Sequence, residues 1–356
     1  MTELVIWAQS VCRSTMALYR EVKRQAGVPV AVVLRRNACG ECAQQLREAQ
    51  GQGADEFADV VDIEWDGELG SGREILNART TNHELRIMNH GTVHVFSGYQ
   101  VSAAVRQLIC EAHEKGCRVV EYDEAPCEMC VGAKALLKRM YYRWILSRKV
   151  GRVTSAADLF LNASGRQGID RLVRLGWARE KIVPFGYASD VVGEGFSRVE
   201  RVEGSLRILH TGMEGAYRNV GTLRKAVEIL CGKGVKVKVE STGGRVSAAE
   251  MPRLYKWADV FVACGLCEPW GMRVNDAIHA GLPVVVSSGM GVEWLVEQFG
   301  CGCVYEKGKP QELAKCLERF AADGEFRRRL ASGVELAHGS WLPEARAKVL
   351  LDILKQ

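Results

Sequence analysis

Two carboxylates flank a short turn in the stretch YKWADVFVACGLCEPWGMRVNDAIHAGLPVVVSSGMGVEWLVEQFGCGCV, residues 255–304. Glu268 precedes the Pro-Trp-Gly turn at 269–271, and Asp276 follows eight residues after Glu268. At about 1.5 Å per helical residue the two acids lie up to about 12 Å apart, too far to share one proton or one metal ion. That separation suits the two ends of an extended ligand. Between them, a helix opening near Gly271 offers unpaired backbone N–H groups and the positive end of its dipole, a site for phosphate. Pro269 is tolerated at such a helix start because its missing N–H would have had no partner. A ligand with hydroxyls at both ends and a diphosphate between them is a nucleotide sugar.

Elements must hold that turn in place, and the apolar pattern supplies them. Strand-like runs occur at 4–8, 30–34, 60–65, 92–98, 118–123 and 158–164, and again at 206–212, 235–241, 259–264 and 283–288. Stretches with apolar spacings of three and four separate most of them, including 14–25, 101–115, 220–232, 251–257 and 271–280, the alternation of a parallel α/β sheet. The segment 191–205 has no sustained apolar period and reads as a connection between two Rossmann-like lobes, 1–190 and 206–337, with a closing helix over 338–356. A ligand is expected in the cleft, at the carboxyl ends of the strands. A chain of 356 residues with 47% hydrophobic and 26% charged residues has enough apolar material for two cores, which excludes intrinsic disorder. Its net charge of +5 is too mild to imply bulk nucleic-acid binding.

The 255–304 stretch resembles the donor-binding signature of the retaining glycosyltransferases of family 4, which have the GT-B fold. The shared features are an aromatic followed by ADVFV, then E-P-W-G, a second carboxylate eight residues after the first, and A-x-x-x-G-L-P-V-V-V-S. LRILHTG followed by Arg218-Asn219, the run LNASGRQGIDRLVRLGWAREKIVPFGYASDV at 161–191, and Trp341 are similar to other parts of that family. The resemblance implies an acceptor-side first lobe, a nucleotide-sugar-binding second lobe and a terminal helix that crosses back to the first. It implies that Glu268 binds donor-sugar hydroxyls, Asp276 the ribose, and the backbone around Trp270, Gly271 and Met272 the leaving diphosphate, beside Gly212. Arg218 would neutralise that diphosphate, the electrostatic contribution expected to dominate where no metal takes part. In the first lobe, Tyr122 and Asp123 stand where the family has its catalytic group, with Asp123 the catalytic candidate and His94 the other possibility.

The implied reaction is retaining transfer of a hexose-type unit to a carbohydrate or lipid-linked acceptor in cell-surface polysaccharide or glycolipid synthesis, with no cofactor and no metal. A non-catalytic nucleotide-sugar-binding subunit or partner-binding subunit and a nucleotide-sugar epimerase are the alternatives on the same fold. Residues 131–153 carry seven Lys/Arg and no acid, interleaved with Tyr141, Tyr142 and Trp144. Such a helix can dock on an anionic bilayer through Lys134, Lys138, Arg139, Tyr142 and Arg143. The alternative is a cover helix packed on the sheet by Leu136, Leu137, Met140 and Ile145. The start of the chain reads as no secretory signal, so a cytoplasmic enzyme, peripheral on the inner membrane face, is expected, with its 13 cysteines as reduced thiols. The pairs Cys39/Cys42, Cys127/Cys130 and Cys264/Cys267 have C-x-x-C spacing, but their separations match no zinc module, so no metal site is expected there. GMGVEW at 289–294 lacks the third glycine of a dinucleotide fingerprint, and Asp62-Ile63-Glu64 is a poor D-x-D.

Overall fold

A computed structural model describes residues 1–9, 13–35, 59–65, 68, 70, 72–74, 91–188, 204–211, 215–243, 246 and 250–356. The expected linker lies mostly outside these residues, as do Gly212, Met213, Cys39 and Cys42.

The apolar runs form parallel strands, buried on both faces in the sheet centres as helix-covered sheets require, while the edge strand over Val237–Ser241 is largely exposed. The first lobe holds β1 (Glu3–Ala8), β2 (Val30–Arg35), β3 (Ile63–Trp65), β4 (Thr92–Phe96), β5 (Arg118–Asp123), β6 (Leu159–Asn162) and β7 (Ile182–Pro184), in the order β3-β2-β1-β4-β5-β6-β7. Its described helices are α1 (Arg13–Gln25), α2 (Ala103–Glu114), α3 (Ala133–Tyr141), α4 (Ser147–Ala156) and α5 (Gly165–Arg174), with a π-helical turn over Tyr142–Leu146 joining α3 to α4. The second lobe holds β8 (Leu206–His210), β9 (Val237–Ser241), β10 (Val260–Ala263), β11 (Val284–Ser287) and β12 (Gly302–Tyr305), in the order β12-β11-β10-β8-β9. Its helices are α6 (Val220–Gly232), α7 (Met251–Trp257), α8 (Met272–His279), α9 (Glu293–Phe299), α10 (Pro310–Ala322) and α11 (Gly324–Trp341), and the chain ends in α12 (Pro343–Lys355). These are two Rossmann-like lobes. Hydrophobic clusters cover both faces of each sheet.

Strand β3 is shorter than the apolar run at 60–65 because Asp62 does other work. Its backbone N–H donates to Val32 O, its carboxylate accepts from Val32 N at 2.8 Å, and Lys23 binds it. Asp62 therefore closes a sheet edge. The three-residue β7 was not anticipated, being too short for its periodicity to show.

Strand order reverses between β1 and β4 in one sheet and between β8 and β10 in the other. Such switch points open a crevice beyond the strand ends. The lobes meet backbone to backbone beside it. A Cβ on Gly165 would stand 2.0 Å from Gly291 O, and one on Gly291 would stand 2.5 Å from Ser164 O. No side chain fits at either position, and the φ of +61° at Gly165 also favours glycine.

Extended Leu342 and Pro343 end α11 and start α12. Ala347, Leu350, Leu351 and Leu354 of α12 then join the first-lobe core, and Arg118 donates to Leu354 O at 2.8 Å. The terminal helix thus crosses back onto the first lobe. Its buried Arg346 donates to Phe185 O at 2.7 Å and lies over the Phe185 and Trp341 rings at 4.2 and 4.4 Å. No helix among the described residues is long and apolar enough to cross a membrane.

Candidate active site

The second-lobe switch point is built from the ends of β8 and β10. After β10 the chain turns through Gly265 and Leu266, whose N–H donates to Tyr217 O at 2.6 Å, binding this turn to the loop after β8. Glu268 is then fixed by its main chain. Its N–H donates to Gly289 O, and its C=O accepts from Gly291 N, at 3.0 and 3.2 Å. The GMG peptide is therefore a close-packing device, since a Cβ on Gly289 would lie 2.4 Å from Leu266 O and one on Gly291 1.9 Å from Pro269 O. Gly271, at φ +121°, turns the chain into α8 in a backbone conformation that favours glycine.

The side chain of Glu268 is mostly buried and faces Arg273, whose Nη2 is 3.5 Å from Oε2. Arg273 Nη1 donates to Thr211 O. Burial holds the Arg273 pKa below the ordinary arginine value, the charge of Arg218 lowers it further, and Glu268 opposes both. The two guanidinium groups therefore share one environment. Arg218 lies over the Tyr217 ring and donates from Nε to its hydroxyl at 3.2 Å. His210, ending β8, is kept neutral-prone by burial, with Arg273 and Arg218 lowering its pKa further. Its Nδ1 is 2.8 Å from Val262 O, which can only accept, so Nδ1 carries the proton.

Three buried polar atoms at this place have no hydrogen-bond partner among the described residues: His210 Nε2, Thr211 Oγ1 and Glu268 Oε2. Buried polar atoms are rarely left so. Together with two guanidinium groups and the start of α8 they form a polar, cation-rich cluster suited to a phosphorylated, hydroxyl-bearing ligand.

Asp276 is partly exposed, one turn into α8, where its charge adds to burial in raising the Tyr255 pKa. Met272 begins the helix. The Trp270 ring is structural: its Nε1 donates to Asn275 Oδ1 at 3.1 Å, and it stacks on Trp341 with centroids 6.4 Å apart. Trp341 Nε1 and Asn275 Nδ2 both donate to Tyr187 O, at 2.6 and 3.0 Å, so the aromatic group clamps the segment leaving the first lobe.

In the first lobe, the Asp123 carboxylate accepts from Gly98 N at 3.1 Å and Glu124 N at 2.8 Å, tying the ends of β4 and β5 together. Burial pushes its pKa up to about 6 against those bonds. Tyr122 donates to Gly186 O, and His94 is fully buried, accepting from Trp7 Nε1 at 3.2 Å. Glu124, the next residue, escaped the sequence reading. Burial raises its pKa to about 7, the charges of Asp123 and Glu268 add to this, and Tyr187 opposes it by a hydrogen bond. Glu124 is thus the first-lobe carboxyl that senses Glu268 across the cleft.

The basic helix departs from the expected cover-helix form. Leu137 and Trp144 are 65% and 54% exposed, and Leu136, Met140 and Ile145 are also exposed, so the helix is not packed on the sheet by these residues. Lys138 donates to Glu128 O at 2.7 Å, Arg139 to Glu128 Oε1 at 3.0 Å and Tyr142 to Cys127 O at 3.2 Å, while Lys138 and Arg139 stay exposed. Lys134, Arg143, Arg148 and Lys149 remain exposed beside the apolar side chains.

Known proteins resemble this chain in fold and, over part of its length, in sequence. Residues 226–335 match the family model described as glycosyl transferases group 1. An uncharacterized glycosyltransferase of Methanocaldococcus jannaschii is 38% identical over 109 residues, which are 30% of this chain and 27% of that protein. The lipopolysaccharide core biosynthesis glycosyltransferase LpsE of Rhizobium meliloti is 31% identical over 97 residues, 27% of this chain and 28% of its own. The matches span little more than a quarter of either relative. Among solved structures, Anabaena HepE in complex with UDP and glucose aligns over 100% of both chains with a TM-score of 0.63 at 14% identity. The lipopolysaccharide outer core galactosyltransferase WaaB aligns over 99% of this chain and 100% of its own, with a TM-score of 0.65 at 10% identity. The chain thus has the two-lobed GT-B fold, and its second lobe, over residues 226–335, matches the group 1 glycosyl transferases.

Proposed function

We propose that this chain is a retaining glycosyltransferase of family 4 type, moving a hexose-type unit from a nucleoside-diphosphate sugar to a carbohydrate or lipid-linked acceptor. The convergence of Glu268, Arg273, Arg218 and the start of α8 at the second-lobe switch point carries this reading. Glu268 holds sugar hydroxyls, and Asp276 the ribose. Arg218, Arg273 and the N–H groups from Gly271 onward take up the charge that gathers on the leaving diphosphate as the anomeric carbon becomes oxocarbenium-like. These fixed charges supply the main electrostatic stabilisation with no metal at the phosphates. A phosphate oxygen assists deprotonation of the acceptor on the leaving-group face. The names of LpsE and WaaB and the UDP and glucose in the HepE crystals support the donor class and a role in surface-glycan synthesis.

The exposed aromatic and cationic face over residues 134–149 supports docking of a cytoplasmic enzyme on an anionic membrane that presents a lipid-linked acceptor. Incubation with a panel of nucleoside-diphosphate hexoses, with and without acceptor glycans, tests the reaction. Release of nucleoside diphosphate with sugar on the acceptor is expected. No turnover of any donor would leave the binding-subunit reading, and an isomerised donor without acceptor would indicate an epimerase. Flotation with anionic liposomes tests docking, and charge reversal at Arg143, Arg148 and Lys149 should abolish it.

A further inference from the structure

One polar cluster at the lobe junction takes no part in that reaction. Cys127 and Glu128, between β5 and α3, meet Cys267, the residue before Glu268 in the second lobe. The two Sγ atoms are 2.9 Å apart although 140 residues separate them, and Cys267 Sγ is 3.3 Å from Glu128 Oε2. All three ligand atoms lie within 4.8 Å of one another. Cys130 lines the same cavity of about 790 Å³ as Glu128 and Cys267. The C-x-x-C turn reaches it through Met129, whose φ of 45° is left-handed. The pair Cys264/Cys267 does not act as a C-x-x-C unit, because Cys264 is buried in the opposite, apolar core.

Cysteines that merely fill space sit among apolar side chains. These are partly exposed and ringed by cations: Arg171 Nη2 is 3.6 Å from Cys267 Sγ, and Arg139 holds the other Glu128 oxygen. A sulfur-rich set with one carboxylate selects a zinc-class ion over magnesium or calcium. Two or three thiolates and a carboxylate exceed the charge of a dication, and Arg139 and Arg171 offset the excess. A tetrahedral site with Zn–S near 2.3 Å sets its sulfurs about 3.8 Å apart, so the thiols must part by roughly 0.9 Å, within reach of side-chain rotation.

We propose that Cys127, Cys267 and Glu128 bind one zinc-class divalent cation, with Cys130 completing the tetrahedron. The ion ties the first lobe to the residue adjoining Glu268. Its role is to hold the donor turn and the lobes in register, and no step at the sugar passes through it. The separation of the C-x-x-C pairs along the chain conceals this site, because its ligands come from both lobes.

The test uses the full chain, reduced, stripped of metal and titrated with cobalt(II). One equivalent should produce intense thiolate-to-cobalt charge-transfer absorption, displaced by zinc. Cys127→Ser and Cys267→Ser should each abolish it while far-ultraviolet circular dichroism stays unchanged, and Cys231→Ser, at an exposed remote thiol, should retain it. Zinc should also shield Cys127 and Cys267 of the unmutated chain from alkylation, a readout that needs no variant. Absence of the absorption, its persistence in both variants, or unshielded thiols would overturn the proposal. So would peptide mapping that finds Cys127 and Cys267 joined as a disulfide in the non-reduced chain.

Discussion

Arg273 Nη2 stands 3.5 Å from Glu268 Oε2, at the first turn of α8, where a cation opposes the helix dipole. Such a placement is unfavourable unless anions compensate it. Glu268 supplies one, and in the proposed function the donor diphosphate supplies the other. Removing the guanidinium therefore weakens the site on two sides.

Arg273→Ala should lower affinity for the nucleoside diphosphate that binds the native chain by about tenfold or more, the worth of a charge-assisted hydrogen bond. Calorimetric titration measures this. Arg273→Lys should recover part of the loss, since it keeps the charge without the planar fork. Unchanged affinity in Arg273→Ala would remove Arg273 from the phosphate site.

Gly291→Ala would place a Cβ 1.9 Å from Pro269 O and 2.5 Å from Ser164 O, touching the donor turn and the first lobe at once. Neither neighbour is a flexible side chain. A loss of about 2 kcal/mol or more in stability is expected, with a lower melting temperature and larger radius of gyration in solution scattering.

Arg346→Ala removes the donor to Phe185 O and the cation stacked between Phe185 and Trp341. Limited proteolysis should then release α12 faster than in the native chain, and stability should fall by about 2 kcal/mol.

The Glu124 pKa is raised from its ordinary value to about 7, chiefly by burial. The unfolded chain loses that proton near the ordinary value while the folded chain keeps it, so stability declines as pH rises from about 4.3 toward 7 and levels off above. Glu124→Gln should flatten this slope and stabilise the protein at pH 8 by up to about 3 kcal/mol. Melting curves from pH 4.5 to 8 check it.

Strands were legible wherever the apolar run was long enough to be buried on both faces; RVVEYD, for example, matches β5 residue for residue. The turn carrying Glu268 was legible because its glycines, proline and acids are contiguous. Arg273 stands five residues after Glu268 and had its own signal, a cation in a first turn that lacks acids. The meeting of Cys127 with Cys267 had none, since contacts between lobes leave no local period. The exposure of Leu137 and Trp144 was hidden for a similar reason: an apolar residue at helical spacing looks the same whether a sheet covers it or not.

Transfer assays on Glu268→Ala address the central claim most directly, with the donor and acceptor that the native chain turns over. Among the described residues the Glu268 side chain supports no backbone hydrogen bond of the turn, so the variant should fold, retain its circular dichroism, and lose transfer. Undiminished turnover by folded Glu268→Ala would contradict the account.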